Sequence, residues 1–245
     1  ALVCEEPYVA LAYLSKAFAP KVVENDGEEC LVGENTTIMP NVYLGRDSKI
    51  GSNCTIMSGA YVGDNVTIGD NTTLYPNVVV YRDCKLGSDC IIHSGVVIGC
   101  DGFGFANKAG KYIKIYQNGN VEIGNDVEIG SNTTIDRAAF KSTIISDGVR
   151  LDNLVHIGHN CKLGRGCILT GQVGLSGSTT LHEYVIMGGQ SATAGHLEIA
   201  PFSTIAARGG VTKSITEPKK NWAGFPLMEH KPWLKLQSKI AKLLK

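Results

Sequence analysis

In the stretch K-I-G-S-N-C-T-I-M-S-G-A-Y-V-G-D-N-V-T-I, residues 49 to 68, an aliphatic side chain returns at every sixth place: Ile50, Ile56, Val62, Ile68. A small residue stands four places after each of them, at Cys54, Ala60, Val66 and Thr72. This period matches neither a helical face nor the alternation of a half-buried strand. It suits very short strands joined by tight turns, the turns being written in sequences such as Gly51 to Asn53 and Gly69 to Asn71.

The pattern extends outward in both directions, from Val32, Ile38 and Leu44 on one side to Leu74, Val80, Leu86, Ile92 and Ile98 on the other. Stacking such hexads buries the aliphatic and small positions in a narrow core, which is a parallel β-helix. Three hexads per turn predict a triangular prism with a coil of about 18 residues. After Ile98 the register breaks and resumes at Ile123, a step that is not a multiple of six, so a segment leaves the prism there. That excursion contains D-G-F-G-F-A, Asp101 to Ala106, followed by K-Y-I-K-I. A slip of four residues separates Ile135 from Ile145, after which the repeat runs on through Ile157, Leu163 and Leu175 to Val211, with Thr193 its one polar member.

Pro7 to Phe18 reads as a short helix. Beyond Val211 prolines punctuate a connection, and Trp233, Leu236, Ile240 and Leu243 or Leu244 then give an amphipathic helix with lysines between them. Neither helix has a core of its own, so both are expected to lean on the prism or on another subunit.

The 245 residues carry 23 basic and 23 acidic side chains. Balanced charge removes the electrostatic argument for nucleic acid as the main partner. No apolar run approaches the roughly 20 residues of a membrane span, and Glu5 and Glu6 stand where a secretory leader would be basic. A cytoplasmic protein is expected, and a chain that starts at Ala1 is expected to derive from something longer. Of eight cysteines, Cys54, Cys84, Cys90, Cys161 and Cys167 occupy the small buried position of the repeat. All eight read as reduced thiols, with neither a disulfide framework nor a zinc site.

Chemistry concentrates at N-L-V-H-I-G-H-N, residues 153 to 160. His159 is the third residue of its hexad, a turn position whose side chain points off the core. Gly177 follows one coil later at the same edge, and His196 falls two coils and one residue on. With strands about 4.8 Å apart, the two imidazoles are expected some 10 Å apart, room for a substrate and too far to share one metal ion. His156 closes the preceding hexad and flanks the same corner. From the residues alone, a solvated polar role for either histidine stays open.

The strings L-D-N-L-V-H-I-G-H-N, D-G-F-G-F-A, N-T-T-I-D-R-A-A and A-G-H-L-E-I resemble the UDP-3-O-acylglucosamine N-acyltransferases of lipid A synthesis, in the family's order and over about residues 5 to 240. The resemblance implies an all-β, left-handed parallel β-helix of hexapeptide repeats with a short N-terminal helix and a C-terminal helix. It implies a homotrimer with active sites between subunits, and transfer of a 3-hydroxyacyl group from acyl carrier protein to the 2-amine of a UDP-amino sugar. No cofactor and no metal are implied beyond the carrier thioester. The family's catalytic histidine falls on His159, its oxyanion glycine on Gly177, and the histidine of its G-H pair on His196. Asp152, Asn153, His156, Phe103 and Phe105 are expected to touch substrate, and Lys235, Lys239 and Lys242 to meet the acidic carrier protein.

Three segments are expected: 1–27, the remnant of a uridine-binding domain; 28–215, the β-helix acyltransferase domain; and 216–245, the C-terminal connection and helix. Rival readings are another hexapeptide sugar acyltransferase using acetyl-CoA or making an ester, a β-helix hydratase with histidine-bound zinc, and a non-catalytic scaffold.

Overall fold

A computed structural model of the chain describes residues 3–21, 26–224 and 230–243, the side chains of 230–234 excepted. Each hexad contributes a two-residue strand, such as Lys49–Ile50, Thr55–Ile56 and Tyr61–Val62, and successive strands go to three different sheets. Strands 18 residues apart pair in parallel, Ile50 on Ile68, Ile56 on Leu74 and Val62 on Val80. Among the described residues the three sheets hold nine, ten and nine strands, wound into a left-handed prism.

The first residue of each strand pair faces outward and the second inward, so Ile56, Leu74, Ile92, Ile129, Ile135, Ile157 and Leu175 are fully buried. Each is worth about 1.5–3 kcal/mol relative to exposure. The corners take a left-handed residue, supplied by Asn53, Asn65 and Asn71 at φ near 57°, 55° and 57°. Asparagine tolerates this conformation because its short amide bonds locally. Here it bonds to the next coil, Asn65 Nδ2 donating to Asp83 Oδ1 at 2.9 Å and Asn71 Nδ2 to Asp89 Oδ1 at 3.0 Å. The five repeat cysteines are buried, as their small position in the repeat predicts. Burial pushes the thiols of Cys84 and Cys161 up to about 11 and about 12, which makes them inert spacers. The polar core member Thr193 is buried, its hydroxyl 3.2 Å from that of Thr179.

Three expectations are corrected. Val32 and Ile38 continue the repeat but remain 44% and 37% exposed, because no described coil covers the prism below them. The N-terminal helix α1 (Pro7–Ala17) leans on the excursion instead of the prism wall: Val9 and Ala12 pack with Ala106 and Ile115 of an antiparallel hairpin, Phe105–Lys108 with Lys111–Lys114. Tyr116 N–H donates to Ser15 Oγ at 2.9 Å and Asn118 Nδ2 to Ser15 O at 2.9 Å, tying helix to hairpin. At the other end the β-structure outlasts the hexad pattern. Ile215 bridges to Ile199, and strand Asn221–Trp222 pairs with Thr204–Ile205.

The four-residue slip is taken up between strands Thr134–Arg137 and Ser142–Ile145. It is held by buried Arg137, whose Nε donates to Gly99 O at 2.7 Å and Nη2 to Arg82 O at 2.8 Å. Helix α2 (His230–Leu243) follows, and its side chains from Lys235 to Leu243 are exposed. The Trp233 side chain, Leu244 and Lys245 lie outside the described residues. Among those described, no helix is long and apolar enough to cross a membrane.

Candidate active site

His159 stands two residues after core Ile157 and immediately before Asn160, the left-handed corner residue at φ 61°. The chain therefore leaves the core at His159, and its side chain rises along the prism edge toward the next coil. There it meets Gly177. A Cβ built on Gly177 would stand 2.6 Å from His159 Nε2 and 2.7 Å from Cε1, so the imidazole lies against the Gly177 α-carbon, an approach open only to glycine. On the other side Gly102, from the D-G-F-G-F excursion, comes so close that its Cβ would be 2.6 Å from His159 Cβ. The ring is thus clamped between a turn of the prism and the inserted loop.

Hydrogen bonds fix its tautomer. Asn160 Nδ2 donates to Phe140 O at 2.8 Å, and Asn160 Oδ1 accepts from Ala139 N–H at 3.0 Å, which orients the amide. The same Oδ1 is 3.2 Å from His159 Nδ1. An amide oxygen only accepts, so Nδ1 carries the proton and Nε2 presents its lone pair beside Gly177. The Gly177 carbonyl accepts His196 N–H at 3.0 Å, while the Gly177 N–H has no backbone partner among the described residues.

Near the ring lies Asp136, buried at 6% exposure, on strand Thr134–Arg137. Its Oδ1 accepts a weak bond from Cys100 Sγ at 3.3 Å, and its Oδ2 is 3.8 Å from His156 Nε2. Burial raises the carboxyl above its usual range, against the lowering effects of the Cys100 bond and of His156 and His159. Burial, then the Asp136 charge, pushes the Cys100 thiol up to about 12. His156 is half exposed, and its Nδ1 lies 2.9 Å from Thr134 Oγ1.

Asp136, His156, His159 and Gly177 line one cleft of about 400 Å³ with Phe103, Leu175, Ser176 and the small outward residues Gly174 and Ala192. Phe103 is 87% exposed and stacks edge-on against Phe105, centroids 5.1 Å apart, forming a lip. The structure thus brings together His159, Gly177, His156 and Phe103 of the residues expected from sequence, with Phe105 behind Phe103. His196 stays outside the cleft wall; it is exposed and occupies a left-handed corner at φ 60°, above Asn160 and Ser178. Asp152 and Asn153 line a separate cleft of about 500 Å³ with His93, Glu128 and Arg150. Asn153 Oδ1 accepts Ser131 N–H there at 2.7 Å.

Asp136 and Asn160 were not assigned from sequence. The signal for Asp136 was an acid directly after a core isoleucine, beside the register irregularity between Ile98 and Cys100. That for Asn160 was hidden, since asparagine is the ordinary corner residue. Among the described residues no three His, Cys, Asp or Glu side chains converge as a metal site.

A hexapeptide prism with a histidine and a glycine at one corner defines a class, the bacterial hexapeptide transferases. Residues 29–64 and 65–100 match the bacterial transferase hexapeptide (six repeats) family. The UDP-3-O-acylglucosamine N-acyltransferase 1 of Sulfurimonas denitrificans is 60% identical over 246 residues, covering 100% of this chain and 77% of that protein. The enzyme of that name from Campylobacter lari is 53% identical over 240 residues, covering 98% and 75%. The fold is shared with the solved UDP-N-acetylglucosamine acyltransferase of Francisella novicida at TM-score 0.57 and 23% identity, over 84% of this chain and 73% of that one. The chain belongs to the UDP-3-O-acylglucosamine N-acyltransferase family and is an N-acyltransferase.

Proposed function

We propose that the protein transfers a 3-hydroxyacyl group from an acyl carrier protein thioester to the 2-amine of a UDP-3-O-acyl-glucosamine, with His159 as general base, in lipid A synthesis. The observation that carries this reading is the free Nε2 of His159 beside Gly177, its Nδ1–H held by Asn160. A neutral amine attacking a thioester must lose a proton as the C–N bond forms, and an imidazole with a free ring nitrogen accepts it. The carbonyl oxygen gains charge at the same time, and the unengaged Gly177 N–H is a fixed donor for it. His196 supports that donor through the backbone, by holding the Gly177 carbonyl. Phe103 and Phe105 close the cleft over the acceptor, and His156 borders it. The second cleft, with Asp152 and Asn153, is where a neighbouring copy of a trimer would contribute.

The test is an acyl-transfer assay with defined 3-hydroxyacyl carrier thioesters and UDP-3-O-acyl-glucosamine. A base-stable amide on the sugar is expected. An ester product, acetyl transfer from acetyl-CoA, or no transfer from the carrier thioester would overturn the reading.

A further inference from the structure

An amine acceptor brings one more proton than an alcohol does. An amine flanked by electron-withdrawing oxygens titrates near the α-amino range, about 8, so at neutral pH most of it arrives as ammonium. One proton must leave before attack and a second as the amide forms. His159 is placed for the second, and the thiolate leaving group can reclaim that one. The first needs another acceptor within the same cleft.

Asp136 has the properties such an acceptor needs. It lines the cleft beside His159 and Gly177, its side chain is 9% exposed, and its neutralising partners are weak: a thiol at Oδ1 and, at Oδ2, a histidine 3.8 Å away. The nearest guanidinium in sequence, Arg137, is turned the other way onto Gly99 O and Arg82 O. A buried carboxylate without a fixed cation is costly, and a cationic ligand relieves that cost. The titratable groups around it are Cys100 and Asp101 from strand Val97–Asp101, His156 from strand His156–Ile157, and His159 and Cys161 from the turn that follows. His156 leads outward, its side chain 53% exposed.

We infer that Asp136 and His156 form the acceptor-amine subsite, which binds the sugar 2-ammonium and passes its extra proton to solvent. This rests on the N-acyl-transfer reading of His159. The ammonium donates to Asp136 Oδ2. Its N–H bond breaks with the electron pair left on nitrogen, and an O–H bond forms on the carboxyl. His156, its Nδ1 2.9 Å from Thr134 Oγ1, takes that proton at Nε2 and releases it to water. The neutral amine then attacks the thioester carbon while the carbonyl pair moves to oxygen, and His159 takes the second proton. The C–S bond breaks with its pair on sulfur, which receives the proton from His159. One ammonium and one thioester give one amide, one thiol and one proton in water.

The test is kcat/KM for UDP-3-O-acyl-glucosamine at saturating carrier thioester, from about pH 6.5 to about pH 9, for the wild type, Asp136→Asn and His156→Gln. Asp136→Asn is expected to lose about thirtyfold more at the acid end than at the alkaline end, the ratio of free-amine fractions for a group titrating near 8. The exposed His156→Gln variant, which keeps the fold testable if Asp136→Asn misfolds, is expected to show a loss of the same sign, about three- to tenfold, confined to the acid end. A loss independent of pH in the folded variants, or none, overturns the subsite. A wild type inactive on this acceptor at every pH overturns the proposed function instead.

Discussion

The imidazole of His159 rests against the α-carbon of Gly177, so close that a Cβ there would lie 2.6 Å from Nε2. The proposed base and the proposed oxyanion donor thus sit one coil apart on the same edge, a separation fixed by the strand spacing of the prism. Gly177→Ala is expected to displace the ring and lower kcat about 10²-fold, the cost of misplacing a reacting group by about an ångström. Gly174→Ala, where a Cβ would meet nothing within 4 Å, is the size control and should cost far less. His159→Ala should lower kcat by about 10² to 10⁴ with little change in Tm, because the ring lies off the hydrophobic core. Steady-state kinetics with thermal melts checks all three, and near wild-type turnover in His159→Ala would remove it as the base.

Asn160 gives a second readout of the same ring. Asn160→Asp keeps an acceptor for Nδ1 and a residue type that tolerates φ 61°, but adds a charge that favours the imidazolium. The acid limb of the kcat profile should move to higher pH by about one unit. An unmoved limb would mean that the titrating base is not His159.

The prism was legible because its rule is local. Every hexad carries an aliphatic residue, a small residue and a corner residue, and Ile56 or Leu163 obeys that rule irrespective of the coils around it. His159 and Gly177 were legible for the same reason, since a fixed coil length converts sequence separation into height. What was not legible came from the places where the rule breaks. Asp136 reaches the site through the irregularity at Ile98 and Cys100, and Gly102 arrives on an inserted loop whose path no periodicity encodes. The packing of α1 on the hairpin likewise depends on Ser15 meeting Tyr116, a contact across 101 residues.

Asp136 should also reveal itself in stability. Its folded carboxyl is raised above the ordinary carboxylate range by burial, so the folded state holds that proton more tightly than the unfolded chain does. Stability from this group is therefore greatest below the unfolded value, about 3.9, and falls as pH rises through the folded one. Asp136→Asn cannot ionise and should melt at or above the wild-type Tm near pH 8, with the difference shrinking toward about pH 4. A clearly lower Tm at pH 8 would make Asp136 a structural ion instead.

Ile56→Asp and Leu163→Asp place a carboxylate at positions that are 0% and 1% exposed, within a cluster of buried apolar side chains. An unpaired charge of that kind costs more than one domain's margin of stability. Both variants should be insoluble or unfolded by circular dichroism. A soluble, cooperatively melting protein in both cases would place these residues outside the core.

Lys235, Lys239 and Lys242 stand at i, i+4 and i+7 on α2 and are exposed, along one face of the helix. Leu236 and Ile240, 39% and 42% exposed, occupy the adjoining stripe that would meet equivalent helices in a trimer. Lysines predominate after Arg208 in a chain whose total charge is zero, with Glu217 and Glu229 the acids opposing them. An acidic carrier protein would be drawn to such a face, and a surface attraction of this kind acts on encounter and weakens as salt screens it. Charge reversal at the three lysines should therefore raise KM for the carrier-linked donor, by a factor that shrinks between low and high ionic strength. Turnover of a short thioester donor without the carrier should stay unchanged, because the helix lies outside the groups that line the His159 cleft. Equal losses with both donors would mean that the substitutions disturb the fold or the catalytic edge, and the docking role of α2 would then fall.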